Sequence, residues 1–163
     1  MAPAAHNHKT HPVPSHRVTR MSEDQSANTD VTHYELHASR VSPKRTTVDT
    51  GKAEFVVGKD VNPVEYFLGA IGACLNSTGT MVARDMDIAI ESLDITVEGG
   101  VNYDRYAGRE SDARAGLQGV DVTLEIEADA DEQTLEAWLE AVEERCPITD
   151  NVANETSLAV SFK

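Results

Sequence analysis

The stretch NPVEYFLGAIGACL, residues 62–75, decides the architecture. Asn62 suits a helix N-cap. Pro63 suits the first helical position, where its missing amide is no loss. Glu65 suits the third, from which a carboxylate reaches back to the cap amide. The pattern predicts a helix that continues through NSTGTMVARDM to about Asp85 or Met86. From Tyr66 to Leu75 every residue is apolar or glycine. Such a run has no polar face and calls for burial on all sides. Ten residues are too few to span a bilayer. Gly69 and Gly72 each cost about 1 kcal/mol against alanine inside a helix. With Ala70 and Ala73 they point to other backbone packed closely against this helix.

Upstream, Val31–Ala38, Thr46–Asp49 and Ala53–Val57 read as strands, short and rich in Val, Thr and aromatics, with a turn at Thr50-Gly51. Downstream, Leu93, Ile95 and Val97 alternate with polar residues, and Gly99-Gly100 is expected to break that strand. Residues 102–116 are polar and read as an exposed loop. Val120, Val122, Leu124 and Ile126 alternate strictly with Asp121, Thr123, Glu125 and Glu127, the mark of a strand with one wet face. Leu135, Trp138, Leu139 and Val142 carry helical spacing within Asp131–Arg145, and Pro147 stops that helix. Ser157–Phe162 is expected to close the chain as a strand. The order is β-β-β-α-β-β-α-β, with no transmembrane segment.

The chain has 163 residues, a single-domain length, with 28 acidic and 14 basic side chains and a net charge of -14. Residues 1–30 have no apolar run and read as a disordered tail, with the ordered domain at 31–163. Met21 resembles an ordinary protein start, which would make residues 1–20 an upstream extension. Those 20 residues carry three basic groups and no acid, so the rest holds 11 basic and 28 acidic groups, a charge of -17. No basic footprint exists for nucleic acid or for an anionic membrane surface. Only five residues are Lys, against nine Arg. An acidic, lysine-poor surface favours solubility and resembles that of proteins from salt-loving microbes. An ordinary acidic cytoplasmic protein gives the same signs.

The chemistry-bearing residues are few. Cys74 and Cys146 stand 72 positions apart with no CxxC pair, which argues against a cysteine-built metal site. All six histidines fall within the first 37 residues, four of them in the tail. The body therefore lacks the partner of a Ser-His or Cys-His hydrolase. Two cysteines can simply fill core space. They can also form a redox pair, in which a thiolate attacks a peroxide and a second thiol resolves the sulfenic acid. Burial three turns inside a helix raises a thiol pKa, and the helix N-terminus is too far away to help. With no histidine nearby, the remaining activator is a guanidinium, from this chain or from a second subunit.

The 62–75 stretch resembles the Asn-Pro-x-Glu-apolar-Ala-x-x-x-Cys helix of the OsmC-like family, which includes the organic hydroperoxide resistance proteins. EERCPITDN, residues 143–151, resembles that family's second-cysteine motif. The resemblance covers about residues 31–163. It implies an α+β fold, with antiparallel sheets around a buried central helix in an intertwined homodimer. It also implies a cytoplasmic peroxidase that reduces organic hydroperoxides or hydrogen peroxide with thiols alone, without metal or other cofactor. Cys74 would then attack, Cys146 would resolve, and a dithiol would reduce the resulting disulfide. The activating arginine would be Arg40, or Arg45 in its place. Val64 stands where the hydroperoxide resistance proteins carry glutamate, and Glu65 lies about 100° further round the helix, where the capping box accounts for it. Asn76, Ser77 and Thr78 are placed to hydrogen-bond near Cys74. The alternative function is a non-catalytic binding protein for a hydrophobic small molecule.

Overall fold

The computed structural model describes residues 31–162. The tail reading and its histidines at 6, 8, 11 and 16 lie outside them. Contacts divide the chain into two units at Glu35/Leu36, and every described helix and strand lies in the second. The elements are β1 (His37–Ser42), β2 (Arg45–Asp49), β3 (Glu54–Val57), α1 (Pro63–Asp85), β4 (Ile90–Val101), β5 (Leu117–Ala128), α2 (Glu132–Arg145) and α3 (Pro147–Ala153).

β1, β2 and β3 form an antiparallel sheet in that order. The first strand begins at His37 rather than Val31, because β2 ends at Asp49, the partner of His37, and nothing is left to pair with earlier residues. A bulge interrupts the β1–β2 ladder between Arg40 and Ser42. Phe55 of β3 stacks on Tyr66 of α1 at 5.6 Å between ring centroids.

α1 begins as the sequence dictates. Asn62 Oδ1 accepts from the amides of Val64 (2.9 Å) and Glu65 (3.1 Å), and Glu65 Oε2 accepts from the Asn62 amide (2.7 Å). Its end is also built. Asp87 takes a left-handed φ of 56°, and the Ile88 amide donates to the Ala83 carbonyl at 2.8 Å. That six-to-one bond closes a Schellman motif and turns the buried Ile88 onto the helix.

α1 packs on β4, α2 and α3. Ile71, Leu75, Val82 and Ala83 form the core with Ile88, Trp138, Val142 and Cys146. The apolar run is not buried all round. Phe67, Gly69, Ala70, Ala73 and Met81 are exposed, since one chain supplies neighbours on only one side of the helix.

β4 and β5 pair as a long antiparallel ribbon, with Leu93, Ile95 and Val97 opposite Ile126, Leu124 and Val122 on the face that meets the core. β4 passes through Gly99-Gly100 instead of stopping there. A Cβ at Gly99 would lie 2.9 Å from Leu117 Cδ2 and 3.1 Å from the Gly119 carbonyl, so glycine admits the close strand crossing. Residues 102–116 form the exposed loop. Asp131 caps α2 by accepting from the Thr134 amide at 2.8 Å.

α3 was not expected. Pro147 supplies a helical first residue directly after α2 stops, and the short helix carries no apolar period to reveal it. Ser157–Phe162 forms no strand. No partner strand for it exists among the described residues, and Leu158 and Val160 are 88% and 89% exposed.

On the wet face of the ribbon, Asp94 stands opposite Glu125 and Glu98 opposite Asp121. Like charges directly opposite are destabilising. Raising salt from about 0.1 M to about 1 M shortens the screening length from about 10 Å to about 3 Å. The urea midpoint is therefore expected to rise with salt. Asp94→Lys is expected to gain roughly 0.2–1 kcal/mol at low salt and less at high salt. A midpoint insensitive to salt would show that these pairs carry no strain.

Candidate functional site

Cys74 lies on α1 and is half-buried, whereas Cys146 is wholly buried at the junction of α2 and α3. The junction is set by sequence. Pro147 forces the residue before it out of helical backbone, and Cys146 sits at φ -84°, ψ 108°, ending one helix and preceding the next. α2 is docked on α1 by Trp138, whose indole Nε1 donates to the Gly79 carbonyl at 2.9 Å. Gly79 is required there, since a Cβ would lie 2.8 Å from Trp138 Cζ2. Arg145 Nη1 reaches Asp85 Oδ2 at 2.9 Å, tying the ends of the two helices. α3 then folds back against α1.

The result is a pair of neighbouring thiols with no bond between them. Burial pushes the Cys74 thiol above its ordinary range. Donation of its proton toward Cys146 adds to the rise, while the Ile148 amide and the Thr78 hydroxyl, one turn along α1, oppose it. Burial also acts on Cys146, but the surrounding donors outweigh it and hold that thiol below its ordinary range. They are the hydroxyl and amide of Thr149, the Cys74 thiol and the Ile148 amide. Cys146 is thus the more acidic of the two thiols.

Thr149 and the Ile148 amide are site groups that sequence reasoning missed. The only signal was a threonine three residues after the cysteine, and its meaning depends on α3. Among the other expected residues, Glu65 is occupied in the capping box. Ser77 donates to the Ala73 carbonyl one turn back on α1, and the Asn76 carbonyl accepts from Thr80, a residue not singled out in the sequence. Arg40 is exposed in β1, opposite Thr46, and Arg45 begins β2 opposite Ser42. Neither is among the groups that shift either thiol. Among the described residues no cluster of His, Cys, Asp or Glu is arranged to hold a metal ion, and no helix is long and apolar enough to cross a membrane.

Two hollows flank α1, and neither cysteine lines them. A shallow one lies over Gly69, Gly72 and Ala73 against Leu93, Ile95 and Val97. A larger cleft of about 930 Å³ lies between the N-terminal end of α1, the 102–116 loop and the C-terminal end of α3. Its lining includes Val64, Phe67, Tyr103, Tyr106, Arg114 and Val152.

An α+β fold with a long central helix carrying one thiol and a helix junction presenting another defines the class. Residues 57–161 match the OsmC-like protein family, and the chain belongs to it. No curated protein sequence matches the chain. Among solved structures, an OsmC-like protein from Mycoplasma pneumoniae superposes with TM-score 0.68 at 19% identity, covering 76% of this chain and 89% of that one. The organic hydroperoxide resistance protein OhrB of Bacillus subtilis gives 0.51 at 20% identity, over 76% of this chain and 93% of that one. An organic hydroperoxide resistance protein from Elizabethkingia anophelis, with thiocyanate bound, gives 0.56 at 18% identity, over 78% and 93%. These likenesses establish the α+β fold with its antiparallel sheets.

The Thr149 hydroxyl has one proton, and it donates to the Cys146 carbonyl at 3.1 Å. Turning it toward Sγ would stabilise the thiolate directly. In a Cys74→Ser background, Thr149→Val is expected to shift the thiolate ultraviolet titration of Cys146 to higher pH. An unmoved titration would confine the hydroxyl to its carbonyl bond.

Proposed function

We propose that the chain is a thiol-dependent peroxidase for organic hydroperoxides or hydrogen peroxide, in which Cys74 attacks and Cys146 resolves. The carrying observation is the pair of neighbouring free thiols, one half-buried and the other wholly buried. The Cys74 thiolate attacks a peroxide oxygen. An S–O bond forms as the O–O bond breaks, and the departing alkoxide takes a proton to become an alcohol, or water when the substrate is hydrogen peroxide. Cys146 then attacks the sulfenic sulfur. An S–S bond forms, and hydroxide leaves with a proton as water. An external dithiol returns both cysteines to thiols and is itself oxidised to a disulfide, which suits a reducing cytoplasm. These steps use thiols alone.

Burial and the neighbouring Cys146 raise the Cys74 thiol above its ordinary range in the single chain, so activation needs a cation. In this reading the chain is a homodimer, and Arg40, or Arg45 in its place, is delivered across the interface. Support for a second chain comes from the exposed apolar face of α1 and the unpaired Ser157–Phe162 segment. Both are surfaces that a partner would cover. A guanidinium beside Cys74 favours its thiolate, reversing the effect of burial.

The wild type is expected to consume cumene hydroperoxide or hydrogen peroxide with dithiothreitol present. Cys74→Ser should abolish turnover. Cys146→Ser should stop after one turnover with a sulfenic acid trapped by dimedone. Consumption of neither peroxide by the wild type would end the proposal.

Native mass spectrometry is expected to give twice the chain mass. Mixing inactive Cys74→Ser with weakened Arg40→Ala should restore part of the turnover, because one mixed site then has both groups. A monomer mass, or no restoration by mixing either Arg40→Ala or Arg45→Ala, would refute delivery across an interface.

The 930 Å³ cleft favours a second reading, non-catalytic binding of a hydrophobic small molecule. In that case a Cys74→Ser, Cys146→Ser double variant would keep its ligand while no variant or wild type turns over peroxide.

A further inference from the structure

The buried stripe of α1 runs Ile71, Leu75, Thr78, Val82 at helical spacing, and one member of it is polar. Thr78 is the one buried polar side chain among the described residues. Valine has the same outline and would fill that place without burying a hydroxyl, which is destabilising unless the hydroxyl finds a partner. Two neighbours show the usual remedy. Ser77 and Thr80 are exposed, and each donates to the carbonyl four residues back, at 3.0 and 2.9 Å. No such return bond of Thr78 occurs among the described residues.

Its position supplies another partner. Thr78 lies four residues after Cys74, so the two side chains are neighbours on one face of α1. Side chains on a helix lean toward its N-terminus, which aims Thr78 back over the turn that carries Cys74. The next residue, Gly79, lies beneath the Trp138 indole, so this turn of α1 is fixed against α2. The contact is also selective. The Thr78 hydroxyl acts on Cys74 and is not among the groups acting on Cys146, whose hydroxyl donor is Thr149. Each thiol has a threonine of its own. Of the groups acting on Cys74, Cys146 is the one that titrates, and no charged side chain of α1, β4, α2 or α3 is among them.

We infer that Thr78 is the hydrogen-bond donor that this chain itself supplies to the Cys74 thiolate, and so a catalytic residue of the peroxide step. Only the catalytic part rests on the peroxidase reading. A hydrogen bond to an ionised acceptor is stronger than one to a neutral acceptor, so the hydroxyl favours thiolate over thiol. Its proton stays on Thr78 throughout. As the S–O bond forms and the O–O bond breaks, negative charge passes from sulfur to the departing oxygen, and the hydrogen bond weakens. A stabilised thiolate is therefore more abundant and less nucleophilic. On a logarithmic scale the loss of nucleophilicity is about half the gain in abundance. The hydroxyl thus speeds attack at a pH where most of the thiol is protonated, and slows it once the thiol is fully ionised. A purely structural threonine has no such change of sign.

The test uses the full-length chain carrying Cys146→Ala, which leaves one thiol and brings no hydroxyl of its own. The ultraviolet titration of the Cys74 thiolate is expected to move to higher pH in Thr78→Val and to stay near the parent in Thr78→Ser. Single-turnover consumption of cumene hydroperoxide by Thr78→Val is expected to be on the order of threefold slower at neutral pH, and no slower than the parent once both thiols are ionised. Thr78→Ala makes the same comparison if the valine variant does not fold. An unmoved titration, an equal shift in Thr78→Ser and Thr78→Val, or a rate deficit of the same size at every pH would each overturn the inference. The titration involves no peroxide. A shifted titration in a protein that consumes no peroxide refutes the peroxidase reading alone, and consumption with an unmoved titration refutes the role of Thr78 alone.

Discussion

The contact between Trp138 and Gly79 governs the arrangement of everything around the thiols. The indole is buried against α1 and donates to a mid-helix carbonyl, and only glycine leaves room for its ring. Truncating a buried aromatic costs about 3–5 kcal/mol, a large share of the roughly 5–15 kcal/mol that holds a domain together. The exposed Arg145–Asp85 pair at the far end of the same interface is worth far less. It is the indole that fixes where α2 ends. The end of α2 fixes Cys146, and Pro147 turns the chain into α3 at that point.

Electrostatics then separates two chemically identical side chains. Cys74 sits within a helix whose amides are already used, so burial dominates and raises its thiol. Cys146 sits at a helix junction where the Ile148 and Thr149 amides are available to a sulfur, so burial is outweighed. The half-exposed sulfur is therefore the less acidic one in the isolated chain. The same chain leaves apolar surface uncovered on α1 and along residues 157–162.

The sequence carried the local structure of α1 almost to the residue, because capping box, proline and apolar run act within a few positions of one another. The β4–β5 alternation was equally readable, since one face meets the core along its whole length. Gly99-Gly100 misled as a strand end because glycine serves both to break a strand and to admit a close crossing, and only the opposing Leu117 distinguishes the two. The first strand was placed too early because Val, Tyr and Leu at 31–36 have strand propensity but no partner beyond Asp49. α3 was invisible because seven residues are too few to show a period.

The candidate site divides along the same line. The amino-acid sequence by itself determined which groups exist for chemistry: two cysteines, arginines in the N-terminal strands, and no histidine after residue 37. It also determined that one cysteine is carried inside a helix. Only the tertiary structure decided that Cys146 faces Cys74, and that Thr149 and the Ile148 amide stand beside it. The physical reason is range. Caps and periodicities are settled by neighbours a turn apart, whereas the meeting of residues 72 positions apart depends on the docking of α2 against α1.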